Sequence, residues 1–208
     1  MNFMVVLYAL GFALLGYLSG SFPFAVWITR LVKGFDVRDS GSGHATTTNT
    51  IRQAGFLPGA AVFILDVSKG FLPTWLAIHY APATWIIALT AGMAVIGHCW
   101  PIFADFRGGM GLATANGGLM VIAPVAILIT YALLIVLTLI IRQSARASVV
   151  AGLLFAPLLW VVGLRGSVIW VAIVVGIIIT LRFTIDWNRK YKELWLDRDK
   201  VNPAVSND

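Results

Sequence analysis

The chain has 208 residues, 59% of them hydrophobic and 12% charged, with a net charge of +6 and a mean hydropathy of +0.88. A soluble domain carries roughly 25% charged residues, so the composition excludes one and points to an all-α integral membrane protein, expected as a single polytopic domain over 1–208. Cys99 is the only cysteine, which excludes an intrachain disulfide, and seven of the fifteen Lys and Arg lie between Arg165 and Lys200, a pattern that faces anionic lipid rather than nucleic acid.

Residues 1–29 contain no Lys or Arg. A cleavable signal needs a basic start, so this run reads as a permanent first span. A polar loop follows, from about Arg30 to Arg52. The second span covers roughly 54–79 and contains Asp66 and Lys69; the third covers roughly 83–103. Residues 108–141 hold no charge and are interrupted by Gly117-Gly118 and Pro124. They are long for one crossing and short for two full ones, since a span needs roughly 20 residues. Two further spans are expected at 147–164 and 166–181, with a charged tail from about 186 that includes a short helix.

The positive-inside rule decides how often 108–141 crosses. Two crossings leave Arg30, Lys33, Arg38, Arg52, Arg107, Arg142, Arg146 and the tail on one side and only Arg165 on the other. About seven transmembrane helices follow, the fourth of half length and starting at Gly108-Gly109-Met110-Gly111. The N-terminus is then outside and the C-terminus cytoplasmic.

Four constellations could carry chemistry. The loop DVRDSGSGHATTTNTIRQAG (36–55) offers backbone N–H groups for an anion nest and Arg52 as a phosphate clamp, although a polar connector explains it equally well. Asp66 and Lys69 share a helix face at i and i+3. Charges at the bilayer centre cost about 2.5–3.5 kcal/mol on insertion scales and mark functional sites by default, the alternative being a structural ion pair. His98 adjoins the glycine-rich turn, where a helix N-terminus can receive phosphate oxygens and a histidine can bind an oxyanion or move a proton. The fourth is RQSARAS (142–148), a phosphate or carboxylate contact or, for the arginines, positive-inside anchoring. No metal-ligand cluster is evident.

These pieces, in this order, resemble the bacterial acyl-phosphate:glycerol-3-phosphate acyltransferase family. The resemblance covers nearly the whole chain. It rests on GYLSGSFPFAVWITRLVKGFDVRDSGSG (16–43), on Thr48, Asn49 and Arg52, on DVSKG (66–70), and most strongly on GHCWPIFADFRGGMGLAT (97–114). It implies transfer of a fatty acyl group from acyl phosphate to the 1-hydroxyl of glycerol 3-phosphate in the inner membrane, with membrane lipid as surroundings and no cofactor or metal. Carried onto this chain, it implies His98, Lys69, Asp66 and Ser42 as catalytic residues. Arg52, Asn49, Thr48, Gly108, Gly109, Gly111, Thr114, Ser148 and Arg142 are then the phosphate-binding set.

The sequence departs from that family at His44 (Asn there), Thr46-Thr47 (Gly-Ala), Met110 (Lys) and Ala145 (Ser, with Ser144 adjacent). It also lacks the histidine of a His-x-x-Asn motif ending the last span. Three readings follow. The first is an active acyltransferase with a rebuilt pocket, in which His44, Thr46 and Thr47 supply donors and Arg52, Lys69 and Arg107 supply charge. The second is an altered or inactive paralogue that binds anionic lipid or regulates a partner. The third is a small anion transporter built on half-helices, disfavoured by the absence of an internal repeat.

Overall fold

The computed structural model describes residues 2–188, and the charged tail expected to include a short helix lies outside them from Arg189 onward. Every regular element described is helical. Six helical segments are long and apolar enough to cross a membrane by length and composition, and a shorter apolar helix lies among them. This is the seven-helix pattern expected from the charge distribution.

The first expected span is two helices. α1 (Phe3–Gly20) is capped by the Asn2 side chain, which accepts from the Met4 amide. It stops where the Ser21 amide and hydroxyl both turn back to the Tyr17 carbonyl. Pro23 has no N–H to continue the ladder. α2 (Phe24–Lys33) then runs amphipathically, burying Ala25, Val26 and Thr29 and exposing Trp27 and Leu31. The loop expected from Arg30 to Arg52 is therefore partly helical. It contains the end of α2, a 3-10 turn at Val37–Asp39 and α3 (Thr47–Ala54), whose cap is Thr46 accepting from the Asn49 amide.

α4 (Phe56–Tyr80) and α5 (Thr84–Cys99) follow the expected spans closely. The third span ends before 103, because Pro101 precedes a separate 3-10 turn at Ile102–Ala104. α6 (Leu112–Ile122) has 11 residues, or about 16 Å at 1.5 Å per residue, about half of a ~30 Å hydrocarbon core. Pro124 starts α7 (Pro124–Ile141). α8 (Ser144–Val161) begins three residues earlier than expected, and α9 (Ser167–Ile185) closes the described chain.

The core lies among α5, α6, α8 and α9, with Val95, Leu119, Leu159 and Val171 almost wholly buried. α7 fully buries only Ala126, packs Ile127 and Ile129 against the core and exposes Leu128, Ile135, Val136, Leu139 and Ile140. α4 carries the half-helix at very short range: a Cβ on Gly70 would strike the Thr114 carbonyl, and one on Gly117 the Val67 carbonyl. Small residues permit such backbone approach between membrane helices. The consequence is positional. The ends of α5 and α9 and the starts of α3, α6 and α8 gather at one end of the bundle.

Candidate active site

At that end is a cavity of about 420 Å³, lined by groups from α3, α4, α5, α6, α7, α8 and α9 and from the loop before α3. Ser42, His44, Thr46, Thr47, Thr48 and Arg52 line it from the loop before α3 and from α3, and Met110, Gly111, Leu112 and Ala113 line it from the start of α6. Asp66 and His98 form the inner end, with Phe63, Tyr131 and Phe183 as apolar boundary.

Arg52 is half-buried and makes no ion pair or hydrogen bond with the described residues, which leaves its guanidinium available to an anion. In the same cavity, the first amides of α6 have no side-chain cap and no intrahelical partner, so they provide a helix N-terminus for negative charge. Gly111 makes this opening possible at φ +83°, a left-handed backbone that a residue with Cβ resists.

The other two glycines of the turn serve a different purpose. The Gly109 amide donates to the His98 carbonyl at 3.1 Å, and the Gly108 carbonyl accepts from Ala45. A Cβ on Gly109 would hit the His98 ring and the Ala45 carbonyl, and one on Gly108 would hit the His98 carbonyl. They allow the strand to lie directly on His98 and the 44–45 loop. The expected glycine cradle is thus displaced: Met110 to Ala113 face the cavity, and Gly108 and Gly109 are its backing.

Asp66 and Lys69 form a buried pair, with Nζ 2.9 Å from Oδ1 and residue exposures of 2% and 5%. Lys69 also donates to the Phe22 carbonyl at the α1–α2 break, at 2.9 Å, and stands 5.5 Å from the Phe24 ring centre. Its charge is therefore committed to holding the fold, and only Asp66 of the two reaches the cavity. His98 Nδ1 lies 3.7 Å from Asp66 Oδ1 and has no hydrogen-bond partner. A shift of a few tenths of an ångström would close that gap.

Other expected site residues lie elsewhere. Asn49 is fully buried and saturated: its amide donates to the Val37, Ser40 and His44 carbonyls, and its oxygen accepts from Ser42 N. It shapes the loop and does not line the cavity. Thr114 packs under Gly70. Ser148 lines a separate, mostly apolar cavity between α6, α7, α8 and α9, where Asn116 donates to the Tyr131 hydroxyl at 2.7 Å. Arg142 is exposed at the end of α7. Arg107, expected to supply charge, is 60% exposed at the side chain, 3.9 Å from Asp39.

Two buried ionic groups were not singled out in the sequence. Asp36 accepts from the Arg38 side chain and amide and from Arg30. Arg38 extends to the Ala104 and Arg107 carbonyls, binding the first loop to the α5–α6 connection. Burial pushes the Asp36 carboxyl up, but the Arg38 hydrogen bonds and the Arg38 and Arg30 charges outweigh it, so its pKa is lowered to about 2. The second group is on α9: Arg182 Nε donates to the Gly109 carbonyl at 3.0 Å, and Asp186 meets both Arg182 and His44. An Arg and an Asp four apart at the end of an apolar run are the signal that could have revealed it.

The sequence model described as "Glycerol-3-phosphate acyltransferase" matches residues 10–193. A glycerol-3-phosphate acyltransferase of Myxococcus xanthus is 42% identical over 140 residues, covering 67% of this chain and 73% of its own length. One from Aquifex aeolicus is 35% identical over 182 residues, covering 87% of this chain and 94% of its own length. The crystal structure of PlsY, an integral membrane glycerol 3-phosphate acyltransferase in its glycerol 3-phosphate form, superposes with a TM-score of 0.75 at 35% identity, over 87% of this chain and 90% of that one. Its lysophosphatidic acid form gives 0.72 at 33% identity over the same shares. Matched by the family model over residues 10–193 and by a solved relative over 87% of its length, this multi-pass membrane chain belongs to the glycerol-3-phosphate acyltransferase family.

Proposed function

We propose that the protein transfers a fatty acyl group from acyl phosphate to the 1-hydroxyl of glycerol 3-phosphate, giving lysophosphatidate and phosphate. The C1 hydroxyl oxygen bonds to the acyl carbonyl carbon. The bond from that carbon to the bridging phosphate oxygen breaks, and the hydroxyl proton leaves with phosphate. The mixed anhydride is already activated, so the protein needs to position reactants and stabilise developing charge.

The observation that carries this reading is that Arg52, the α6 N-terminus, His98 and Asp66 all line one cavity. Arg52, Thr48, Ser42 and the α6 amides hold phosphate in this reading. His98 stabilises the oxyanion or carries the proton. Asp66, held by Lys69, orients His98. Gly108, Gly109, Asn49 and Thr114 support these groups from behind. The cavity then opens on the cytoplasmic side of the inner membrane, with the N-terminus outside, a reading supported by the basic loops.

The test is phosphate release from acyl phosphate by purified protein, with and without glycerol 3-phosphate. Release only when the acceptor is present is expected. Folded protein that releases none with verified substrates overturns the reading. Binding of lysophosphatidate without turnover would instead support the paralogue reading, which the uncharged Met110 in the cavity wall favours.

A further inference from the structure

Asp186 is 6% exposed and lies beyond the last turn of α9. A buried carboxylate needs charged or hydrogen-bonding partners. Asp186 Oδ2 has His44 Nε2 at 2.9 Å and Arg182 NH1 at 3.5 Å. His44 lines the cavity, and Arg182 is tied to the Gly109 carbonyl next to Met110, which lines it too. His44 is part of the loop that leads into α3 and Arg52. Arg182 holds the Gly109 carbonyl, directly before the opening of α6. One side chain at the C-terminal cap of α9 therefore connects the loop before α3, through His44, with the segment before α6, through Arg182. Among the described residues their direct backbone link is one bond, Ala45 N to Gly108 O at 3.3 Å, and Arg38 adds side-chain bonds from the first loop to the Ala104 and Arg107 carbonyls.

We infer that the buried His44–Asp186–Arg182 cluster is a positioning device that sets the width of the phosphate site between Arg52 and the α6 N-terminus. The inference rests on the acyltransferase reading and deepens it by naming residues that tune acceptor affinity. His44 and Asp186 need not touch the reacting atoms. They hold the two anion-binding elements in place relative to each other. Loosening the cluster weakens the hold on phosphate while His98 and Asp66 keep their arrangement.

The test is a double-mutant cycle with His44→Asn, Asp186→Asn and the pair. Each single change is expected to raise KM for glycerol 3-phosphate about tenfold while kcat stays within about threefold, and the double change should be no worse than the worse single one. Unchanged KM in both single variants, effects that multiply in the double variant, or a fall in kcat at constant KM would each overturn the inference. If Asp186→Asn lowers the folded yield, His44→Asn alone gives the same reading, since it leaves Arg182 and Asp186 paired. If the unaltered protein shows no acyl transfer, the proposed function fails separately. The cluster is then tested by inorganic phosphate, which should raise the melting midpoint of the unaltered protein and not of Asp186→Asn. Equal shifts would reject the positioning role.

Discussion

Lys69 Nζ stands 2.9 Å from Asp66 Oδ1, one turn along α4, and donates at the same distance to the Phe22 carbonyl where α1 ends. The lysine thus joins a buried carboxylate to a helix break in another element. Removing one partner leaves an uncompensated buried charge, which costs about 3–5 kcal/mol. Lys69→Met should lower the melting midpoint in detergent sharply. The double change Lys69→Met with Asp66→Asn should recover much of it and still lack activity. Equal stability of the single and double variants would show that the pair does not hold the fold.

Two glycines make a contrasting test of packing. Gly109 has no room for Cβ between the His98 ring and the Ala45 carbonyl, whereas Gly11 has nothing within 4 Å. Gly109→Ala should destabilise by about 1–3 kcal/mol through overpacking and displace His98, so activity should fall with stability. Gly11→Ala, inside α1, should be neutral or stabilising by up to about 1 kcal/mol. Thermal melts of both variants beside an activity assay separate the cases.

Asn49 and Arg52 are one turn apart on α3 and should behave oppositely. Asn49 has its amide and carbonyl groups committed inside the loop, and leaving those partners unpaired costs about 1–3 kcal/mol each way they cannot be rehydrated. Asn49→Ala should therefore reduce stability first. Arg52 is uncommitted within the described residues. Arg52→Ala should leave the melting midpoint near that of the parent and weaken phosphate binding about 10- to 100-fold, the range of a charged hydrogen bond. A midpoint drop for Arg52→Ala as large as for Asn49→Ala would contradict this division.

The spans were legible because lipid demands long uncharged runs, and the half-helix because the positive loops had to fall on one side. The break at Ser21–Pro23 was less legible. It sits inside an apolar stretch, and only the backbone shows that the ladder stops there. In the site, sequence spacing found Asp66, His98, Arg52 and the turn at 108–111. It could not say that Gly108 and Gly109 face His98 rather than a ligand, or that Asn49 faces inward, because both depend on which side of a loop is buried. The contact of Asp186 with His44 spans 142 positions and has no local signature.

The Asp36 carboxyl supplies a pH test. Its pKa is lowered from 3.8 to about 2 in the folded protein. A depressed carboxyl pKa contributes stability that is fully present above the unfolded value and is lost as pH falls through the folded one. The gap in melting midpoint between the parent and Asp36→Asn should be constant from neutral pH down to about 5 and shrink between about 4 and 2. A gap that persists unchanged at the acid end would mean that the Arg38 and Arg30 bonds do not depend on the carboxylate charge.

Met110 lines the cavity with 9% exposure, beside the uncapped start of α6. It adds no charge there, so anion binding relies on one guanidinium and on backbone dipoles. Met110→Lys places an ammonium there on a stem of similar length. Two charges 4 Å apart interact by about 4 kcal/mol at an effective dielectric of 20, and desolvation of the new ammonium offsets part of that. The net expectation is about a tenfold fall in the glycerol 3-phosphate KM or in the dissociation constant for inorganic phosphate, equivalent to about 1.4 kcal/mol. Raising the ionic strength should reduce the gain only modestly, because the site is partly enclosed and screening acts mainly on exposed charges. If Met110→Lys binds phosphate no better than the parent while remaining folded, phosphate does not sit beside Met110 at the start of α6, and the assignment must move to Thr46, Thr47 and Ser144 elsewhere in the same cavity.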